Sequence, residues 1–327
     1  MTSHSQQMSI QRAPDVVALG GGHGLAASLR ALRHVTSHLT AIVGVSDDGG
    51  SSGRLREQFD VVPPGDLRMA LAALCGDDTW GSTWARVLQH RFKSAGDLDG
   101  HALGNLLITA LWQETGDVVT GLDWVARLLD AQGRVLPLST QPLDIVATVV
   151  DDNNEVHEVQ GQSKVAVVNE RIESIRLIPD RPKACHAALD AVAQADVLVL
   201  GPGSWFTSVL PHFHLPEMAK ALYESRAKRI LVLNLTPQTG ETSNYRPHDY
   251  LRNLIESHPQ FRVDAVIADS MHVSHVDELN SLAESVGAVT ILADVAKNEP
   301  PFDRHEAKKL ATAFRLAFEH GKIGLWQ

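Results

Sequence analysis

The sequence has few cysteines, no long apolar run and no block of basic residues. Its two cysteines, Cys75 and Cys185, lie in segments of helical periodicity, which excludes a disulfide framework and a cysteine-rich zinc site. No apolar run approaches the roughly 20 residues that a membrane-spanning helix needs. A net charge of −10 without a Lys/Arg block disfavours a nucleic-acid surface. An anionic ligand must therefore be held by a few local groups.

At 327 residues the chain is too long for one minimal domain and short for three, so its length fits one large α/β domain with an excursion, or two domains. Residues 1–13 are polar, and we expect them to form a disordered tail without a secretory signal. We therefore predict a single domain over residues 14–327 and a cytoplasmic location.

Short apolar runs alternate with helical patterns along most of the chain. Residues 16–19 predict a buried strand that leads into a glycine cluster, after which Leu25, Leu29 and Leu32 recur at helical spacing. The same rhythm predicts a Rossmann-like, doubly wound and mainly parallel sheet. Its further strands are expected at residues 40–46, 197–200, 230–234, 265–268 and 289–292.

Two segments interrupt this rhythm. Leucines and tryptophans at three-to-four spacing predict a helical block at about residues 63–133. Short β-type runs at 135–138, 145–150, 156–160 and 172–178 predict a small β excursion over about residues 135–180. A final helix with one apolar face should cover the main sheet.

The glycine cluster after the first strand suits a phosphate, because glycines let backbone N–H groups approach the oxygens and the next helix presents its positive end. The alternative is a tight strand-to-helix turn, and the cluster is not the dinucleotide fingerprint because Leu25 replaces the last glycine. The candidate phosphate ligands here are Gly20, Gly21, Gly22, His23 and Gly24.

Two further polar loops follow predicted strands. Residues 47–53 are expected to be loop, with backbone and hydroxyl donors for an anion and carboxylates for a cation or a ribose hydroxyl. The other loop begins at Gly201. Because the carboxyl ends of parallel strands share one edge, both loops should lie next to the glycine cluster at residues 20–24. Their candidate ligands are Asp47, Asp48, Gly49, Gly50, Ser51, Ser52, Gly201, Pro202, Gly203, Ser204 and Thr207.

Other positions carry weaker signals. Arg68 can fork onto a phosphate, and its alternatives are to pair with Asp66 or to lie on a solvated helix face. Asn105 can read a base or a sugar through paired hydrogen bonds, whereas His101 fits a helix terminus without a ligand role. Gly65 and Asp66 are the remaining candidates for binding the phosphates or the nucleotide. For the sugar or base we name Thr239, Glu241 and Tyr245, the alternative being a polar loop over a core tyrosine.

Taken in order, six segments resemble a known superfamily, that of 2-phospho-lactate transferase (CofD-like). The DDGGSSG form followed by Arg54 is similar to its gluconeogenesis-factor branch (YvcK-like) rather than to the transferases proper. The resemblance runs from residue 16 to about residue 292. The segments are GGGHG at 20–24, SDDGGSSGRLR at 46–56, PPGDLRMALAAL at 63–74, HALGNLLITAL at 101–111, GPGSWFTSVLP at 201–211 and TGETSNY at 239–245.

This resemblance implies a nucleotide-sugar ligand such as UDP-N-acetylglucosamine and a role in cell shape and envelope supply on gluconeogenic carbon sources. It also implies that the phosphate-binding glycines fall on residues 20–24, the paired aspartates on Asp47 and Asp48, and the ligand-contacting tyrosine on Tyr245.

Three functions compete at this point. The first is a regulator that binds a UDP-sugar and signals to a protein partner without turnover, and assembly into a homo-oligomer is compatible with this role. The second is a transferase that moves a phospho-ester group from a nucleoside diphosphate donor to a hydroxyl, with Asp47 or Asp48 as catalytic candidates. A resident metal is not expected, and Mg²⁺ on Asp48 belongs to this second alternative. The third is a dehydrogenase, disfavoured by the missing glycine fingerprint.

Overall fold

The structure is a computed structural model, and it describes residues 12–300 and 303–319. The predicted tail at residues 1–13 lies outside the described residues except for its last two positions. Within the described ranges, no helix is long and apolar enough to cross a membrane.

A seven-stranded parallel sheet forms the centre of the fold, as the alternating pattern predicted. Its strands are β1 (Asp15–Gly20), β2 (His38–Val43), β3 (Arg134–Pro137), β7 (Val197–Leu200), β8 (Lys228–Val232), β9 (Ala265–Asp269) and β10 (Val289–Ala293). Their order in the sheet is β10-β9-β8-β7-β1-β2-β3, so β1 lies between β7 and β2. All are short, and apart from the edge strand β10 they are mostly buried, which is typical of parallel sheets covered on both faces.

Helices cover this sheet and build the block that was predicted after residue 63. A five-residue helical turn, Trp205–Val209, and a short turn, Leu210–Phe213, follow β7. The last helix buries Leu310, Phe314 and Ala317 as its apolar face predicted. The helices are α1 (Gly22–Leu32), α2 (Gly50–Phe59), α3 (Gly65–Leu74), α4 (Thr79–Gln89), α5 (Leu103–Thr115), α6 (Val118–Leu129), α7 (Gln162–Val165), α8 (His186–Gln194), α9 (Pro216–Glu224), α10 (Pro247–Ser257), α11 (Val276–Ser285) and α12 (Ala307–Glu319).

The β excursion is smaller than predicted. It is an antiparallel sheet of order β5-β4-β6, formed by β4 (Asp144–Val150), β5 (Val156–Gln160) and β6 (Arg171–Ile178). Residues 135–138 were assigned to it, and this assignment is wrong because β3 pairs in parallel with β2 at the edge of the main sheet. The helical block is thus the crossover between two neighbouring strands.

The loop predicted over residues 47–53 is also shorter than expected, because α2 begins at Gly50. The amide of Gly53 donates to the carbonyl of Gly49 at 3.0 Å, which closes the first helical turn. The serines Ser51 and Ser52 are buried on this turn rather than displayed in a loop. The second glycine segment is therefore a helix N-terminus.

Candidate functional site

The three glycine segments meet at the carboxyl ends of β7, β1 and β2, which are neighbours in the sheet. The contact between the first and third segments is close. A Cβ atom added to Gly24 would lie 2.1 Å from the carbonyl oxygen of Pro202, so only glycine fits at this position. The amide of Gly44, just after β2, donates to the carbonyl of Gly20 at 2.9 Å and so joins the chain after β2 to the first glycine segment.

Asn234, at the end of β8, holds the third segment in place. Its Oδ1 accepts a hydrogen bond from the amide of Gly203 at 2.7 Å, and its Nδ2 donates to the carbonyl of the same residue at 3.0 Å. A side-chain amide that pairs with both backbone groups of one residue fixes that residue in position and orientation.

A cavity of about 470 Å³ opens where the first and third segments meet. Its wall combines backbone of Gly24 and Gly203 with five basic or potentially basic side chains and a single carboxylate, that of Asp303. The side chains are His23, Arg30, Lys297, Arg304 and His305.

The positive groups in this cavity repel one another. Partial burial, followed by the charges of Arg304 and Arg30, lowers the pKa of His23. Burial and the charges of Arg33 and Arg304 lower the pKa of Arg30. In the described part of the chain, Arg30, Lys297 and Arg304 form no ion pair with a carboxylate. Unneutralised cations beside a helix N-terminus are the arrangement expected for an anion site.

Two carboxylates lie behind the first glycine segment. A Cβ on Gly21 would lie 2.6 Å from Asp66 Oδ2, and one on Gly65 would lie 2.5 Å from Asp47 Oδ2. Although part of Asp66 stays exposed, the surrounding protein removes water from its carboxyl. This desolvation, followed by the charge of Asp47, raises the pKa of Asp66 to about 7. No group of three His, Cys, Asp or Glu side chains suited to a metal occurs among the described residues. Two carboxylates suffice for Mg²⁺ only when phosphates and water supply the other ligands.

Arg68 and Asn105 lie deeper. Arg68 is 4% exposed, so it is not on a solvated face, and burial lowers its pKa to about 10. Its Nε and Nη1, and Oδ1 of Asn105, have no partner among the described residues. The other side of the Asn105 amide donates to Ser51 Oγ at 3.0 Å, and the same Oγ lies 3.0 Å from His101 Nδ1. Buried polar atoms without partners are rare, and these invite a bound polar ligand or water.

Asp48 faces away from the cavity. Its Oδ1 accepts a hydrogen bond from the amide of Ser163 at 2.8 Å, and its Oδ2 lies against Gly161. The carboxylate thus attaches the main domain to the start of α7 in the small β excursion. If a Mg²⁺ ion enters with a ligand, Asp47 and Asp66 are better positioned for it than Asp48.

The predicted sugar-binding residues separate into three environments. Thr239 lines the cavity of His23 and Arg304. The buried carboxylate of Glu241 accepts hydrogen bonds from the amides of Phe206 and Thr207, at 2.8 and 3.3 Å, and from the Thr207 hydroxyl. Those contacts occupy both Glu241 and Thr207. Tyr245 lines a different cavity.

Comparison with known proteins identifies the family of this chain. Residues 16–301 match the protein family described as 2-phospho-L-lactate transferase CofD. The chain belongs to the CofD family.

Relatives named for gluconeogenesis are similar to this CofD-family chain over nearly its whole length. A putative gluconeogenesis factor of Mycobacterium tuberculosis is 45% identical over 302 residues, which cover 90% of this chain and 88% of that protein. A gluconeogenesis factor of Listeria innocua is 35% identical over 94% of this chain and 96% of that protein. A crystal structure of a UPF0052 family member from Bacillus halodurans has a TM-score of 0.82 at 32% identity, covering 94% of this chain and all of that one.

Several residues of the cavity were not predicted from the sequence. Arg30 lies on the exposed side of α1, six residues beyond Gly24, and Asn234 lies two residues after the end of β8. Arg304 and His305 lie beyond the residues that match the CofD family. A polar residue just after a parallel strand is a usable signal for Asn234. No local pattern marks Arg304, which lies between β10 and α12 and lines the cavity only in the folded chain.

Proposed function

We propose that this CofD-family protein binds a nucleotide-sugar of the UDP-N-acetylglucosamine type and acts as a regulator rather than as an enzyme. The observation that carries the proposal is the group of cations around His23 that lack carboxylate partners. A diphosphate supplies the two adjacent negative charges that such a group needs.

The shape of the cavity supports the same ligand class. Its volume of about 470 Å³ falls within the usual range of small-molecule sites. The phosphates would lie near the N-terminus of α1, alongside the backbone of Gly24 and Gly203 and next to Arg30 and Arg304, which line the same cavity. The base and sugar would extend toward Thr239 and Gln238, whose Oε1 has no partner among the described residues.

The regulatory part of the proposal rests on the relatives, which are named gluconeogenesis factors. We infer a role in cell shape and envelope supply on gluconeogenic carbon sources, exerted in the cytoplasm through a protein partner. Deleting the gene and restoring it as wild type or as Arg304→Ala tests this role. We expect only the wild type to restore normal shape during growth on such carbon sources.

A transferase is the second candidate, and the pair Asp47 and Asp66 favours it. In this alternative Asp47 and Asp66 would hold a Mg²⁺ ion, which would supply positive charge to the diphosphate. The acceptor hydroxyl would attack the outer phosphorus, and the nucleoside monophosphate would leave.

Calorimetric titration distinguishes the two. We expect UDP-N-acetylglucosamine to bind with Mg²⁺ or with EDTA, and GDP and NAD to bind more weakly. Arg304→Ala should weaken binding by about tenfold or more, as loss of a charged hydrogen bond does. The exposed Arg226→Ala is the matched control and should bind like wild type. A strict Mg²⁺ requirement together with release of UMP, the leaving group of phospho-ester transfer, would show a transferase, and binding of NAD alone would refute both.

A further inference from the structure

A second cavity lies on the opposite side of the loop at residues 240–245, away from the glycine segments. It has a volume of about 340 Å³ and is enclosed by this loop, the first residues of β6 and one face of α10. Its lining includes polar and charged side chains from β6, the loop and α10, namely Arg171, Tyr245, Asp249, Arg252, Asn253 and Glu256. Nothing in the nucleotide-sugar proposal uses this space.

Tyr245 is held rigidly at the wall of this cavity. The rings of Phe206 and Tyr250 meet it edge-on, with centroids 6.1 and 5.2 Å away. Its hydroxyl has no hydrogen-bond partner in the described portion of the chain. Burial, with the nearby Asp249 carboxylate, raises the pKa of Tyr245 to about 12, so the hydroxyl remains a donor at neutral pH.

Asn253 presents a second oriented group. Its Oδ1 accepts a hydrogen bond from Trp205 Nε1 at 2.7 Å, which fixes the orientation of the amide. Asn253 lines the cavity, so its amide nitrogen is a candidate donor to a ligand there. A fixed hydroxyl and a fixed amide provide direction without charge.

The charges of the wall disfavour an anion. Two guanidinium groups, Arg171 and Arg252, face four acidic residues, Glu170, Glu241, Asp249 and Glu256. One of the guanidinium groups is already used, because Arg252 donates to Asp249 Oδ1 at 2.9 Å. The wall thus combines donors, acceptors and an aromatic ring with an excess of negative charge, unlike the cationic cavity at Arg304.

We propose that this cavity binds an uncharged, polyhydroxylated ring compound of the size of a free monosaccharide. Hydroxyl groups both donate and accept, so they satisfy carboxylates, guanidinium groups and amides together, which a phosphate does not do against this wall. The volume lies at the small end of ligand sites, which fits one sugar ring and not a nucleotide. The site is separate from the nucleotide-sugar cavity and does not depend on it.

Ligand-observed NMR of the full chain tests the site with three probes: D-glucose, D-glucosamine and D-glucose 6-phosphate. We expect saturable binding of glucose and much weaker binding of the phosphate ester. Tyr245→Phe removes only the hydroxyl and should weaken glucose binding by about fivefold, the usual effect of one hydrogen bond. Glu256→Trp, at an exposed rim position on α10, should block the opening and abolish binding without unfolding the protein.

Arg304→Ala is the control that separates this site from the other cavity. It should leave glucose binding unchanged, whether or not it affects UDP-N-acetylglucosamine. Three results overturn the proposal: no saturable glucose binding, glucose binding that is lost in Arg304→Ala and kept in Glu256→Trp, or preferential binding of the phosphate ester or of the cationic glucosamine.

Discussion

Asp66 allows the sharpest test of the electrostatics behind the first glycine segment. Replacing it with asparagine keeps the size of the side chain and its ability to accept a hydrogen bond, and removes the ionisable proton. The neighbouring charge of Asp47 and the surrounding protein hold the pKa of Asp66 at about 7 in the folded chain, against a reference value of 3.8. Ionisation of Asp66 at alkaline pH therefore lowers the free energy of unfolding.

The sign and size of the effect follow from linkage. Because the folded pKa is raised, the stabilising effect of the protonated carboxyl is complete below the unfolded pKa, declines as pH rises and is gone above about pH 7. A shift of roughly 3 units corresponds to an upper limit of about 4 kcal/mol, at about 1.4 kcal/mol per unit. Partial solvent contact reduces this, and we expect about 2 kcal/mol.

Urea unfolding of wild type and Asp66→Asn at several pH values measures this directly. The variant should gain free energy of unfolding relative to wild type as the pH rises from about 4 to about 7, by about 1–3 kcal/mol. Asp190→Asn, at an exposed position, is the control and should show no such trend. A pH-independent difference for Asp66→Asn would mean that Asp66 titrates normally and would refute the reasoning. UDP-N-acetylglucosamine binding without Mg²⁺ should also strengthen in the variant at alkaline pH, because a like charge is removed.

Two further substitutions test the packing of the site. Gly24→Ala should destabilise the protein by about 1–3 kcal/mol and weaken nucleotide-sugar binding, because the added Cβ meets the Pro202 carbonyl. Gly96→Ala, with open space around it, should be neutral, and equal unfolding midpoints for the two variants would contradict the close approach. Glu241→Gln should lower the free energy of unfolding by about 1–3 kcal/mol, because a glutamine amide cannot accept from all three donors of the turn Trp205–Val209. Glu284→Gln on the surface is the control, and an unchanged urea midpoint for Glu241→Gln would argue against that role.

The sequence predicted the main sheet well because each buried strand is short, apolar and followed by a turn and a helix. It did not predict the start of α2. Gly50, Ser51 and Ser52 have loop composition, and Leu55 is the only apolar residue that α2 buries, so helical periodicity is weak. The partner of β3 was also missed. β3 pairs with β2 across a connection of about ninety residues, and no local pattern encodes such a contact.

The candidate site was predictable where chain order reflects geometry. The glycine segments could be grouped because each follows a parallel strand. The roles of Asp48 and Glu241 could not, because a carboxylate that caps the backbone of a distant segment has the same local sequence as one that faces a ligand. Arg304 reaches the cavity from the far end of the chain, and only the tertiary structure brings it beside His23.

The hydrogen bond from Ser163 to Asp48 has a consequence for how the protein opens. It links the residues between β2 and α2 to the small β excursion. Local opening of the excursion would break this link, so the Ser163 amide should exchange its hydrogen at the rate of the whole excursion rather than at that of an exposed turn. Protection of this single amide thus reports whether the excursion and the start of α2 fluctuate as one cooperative unit.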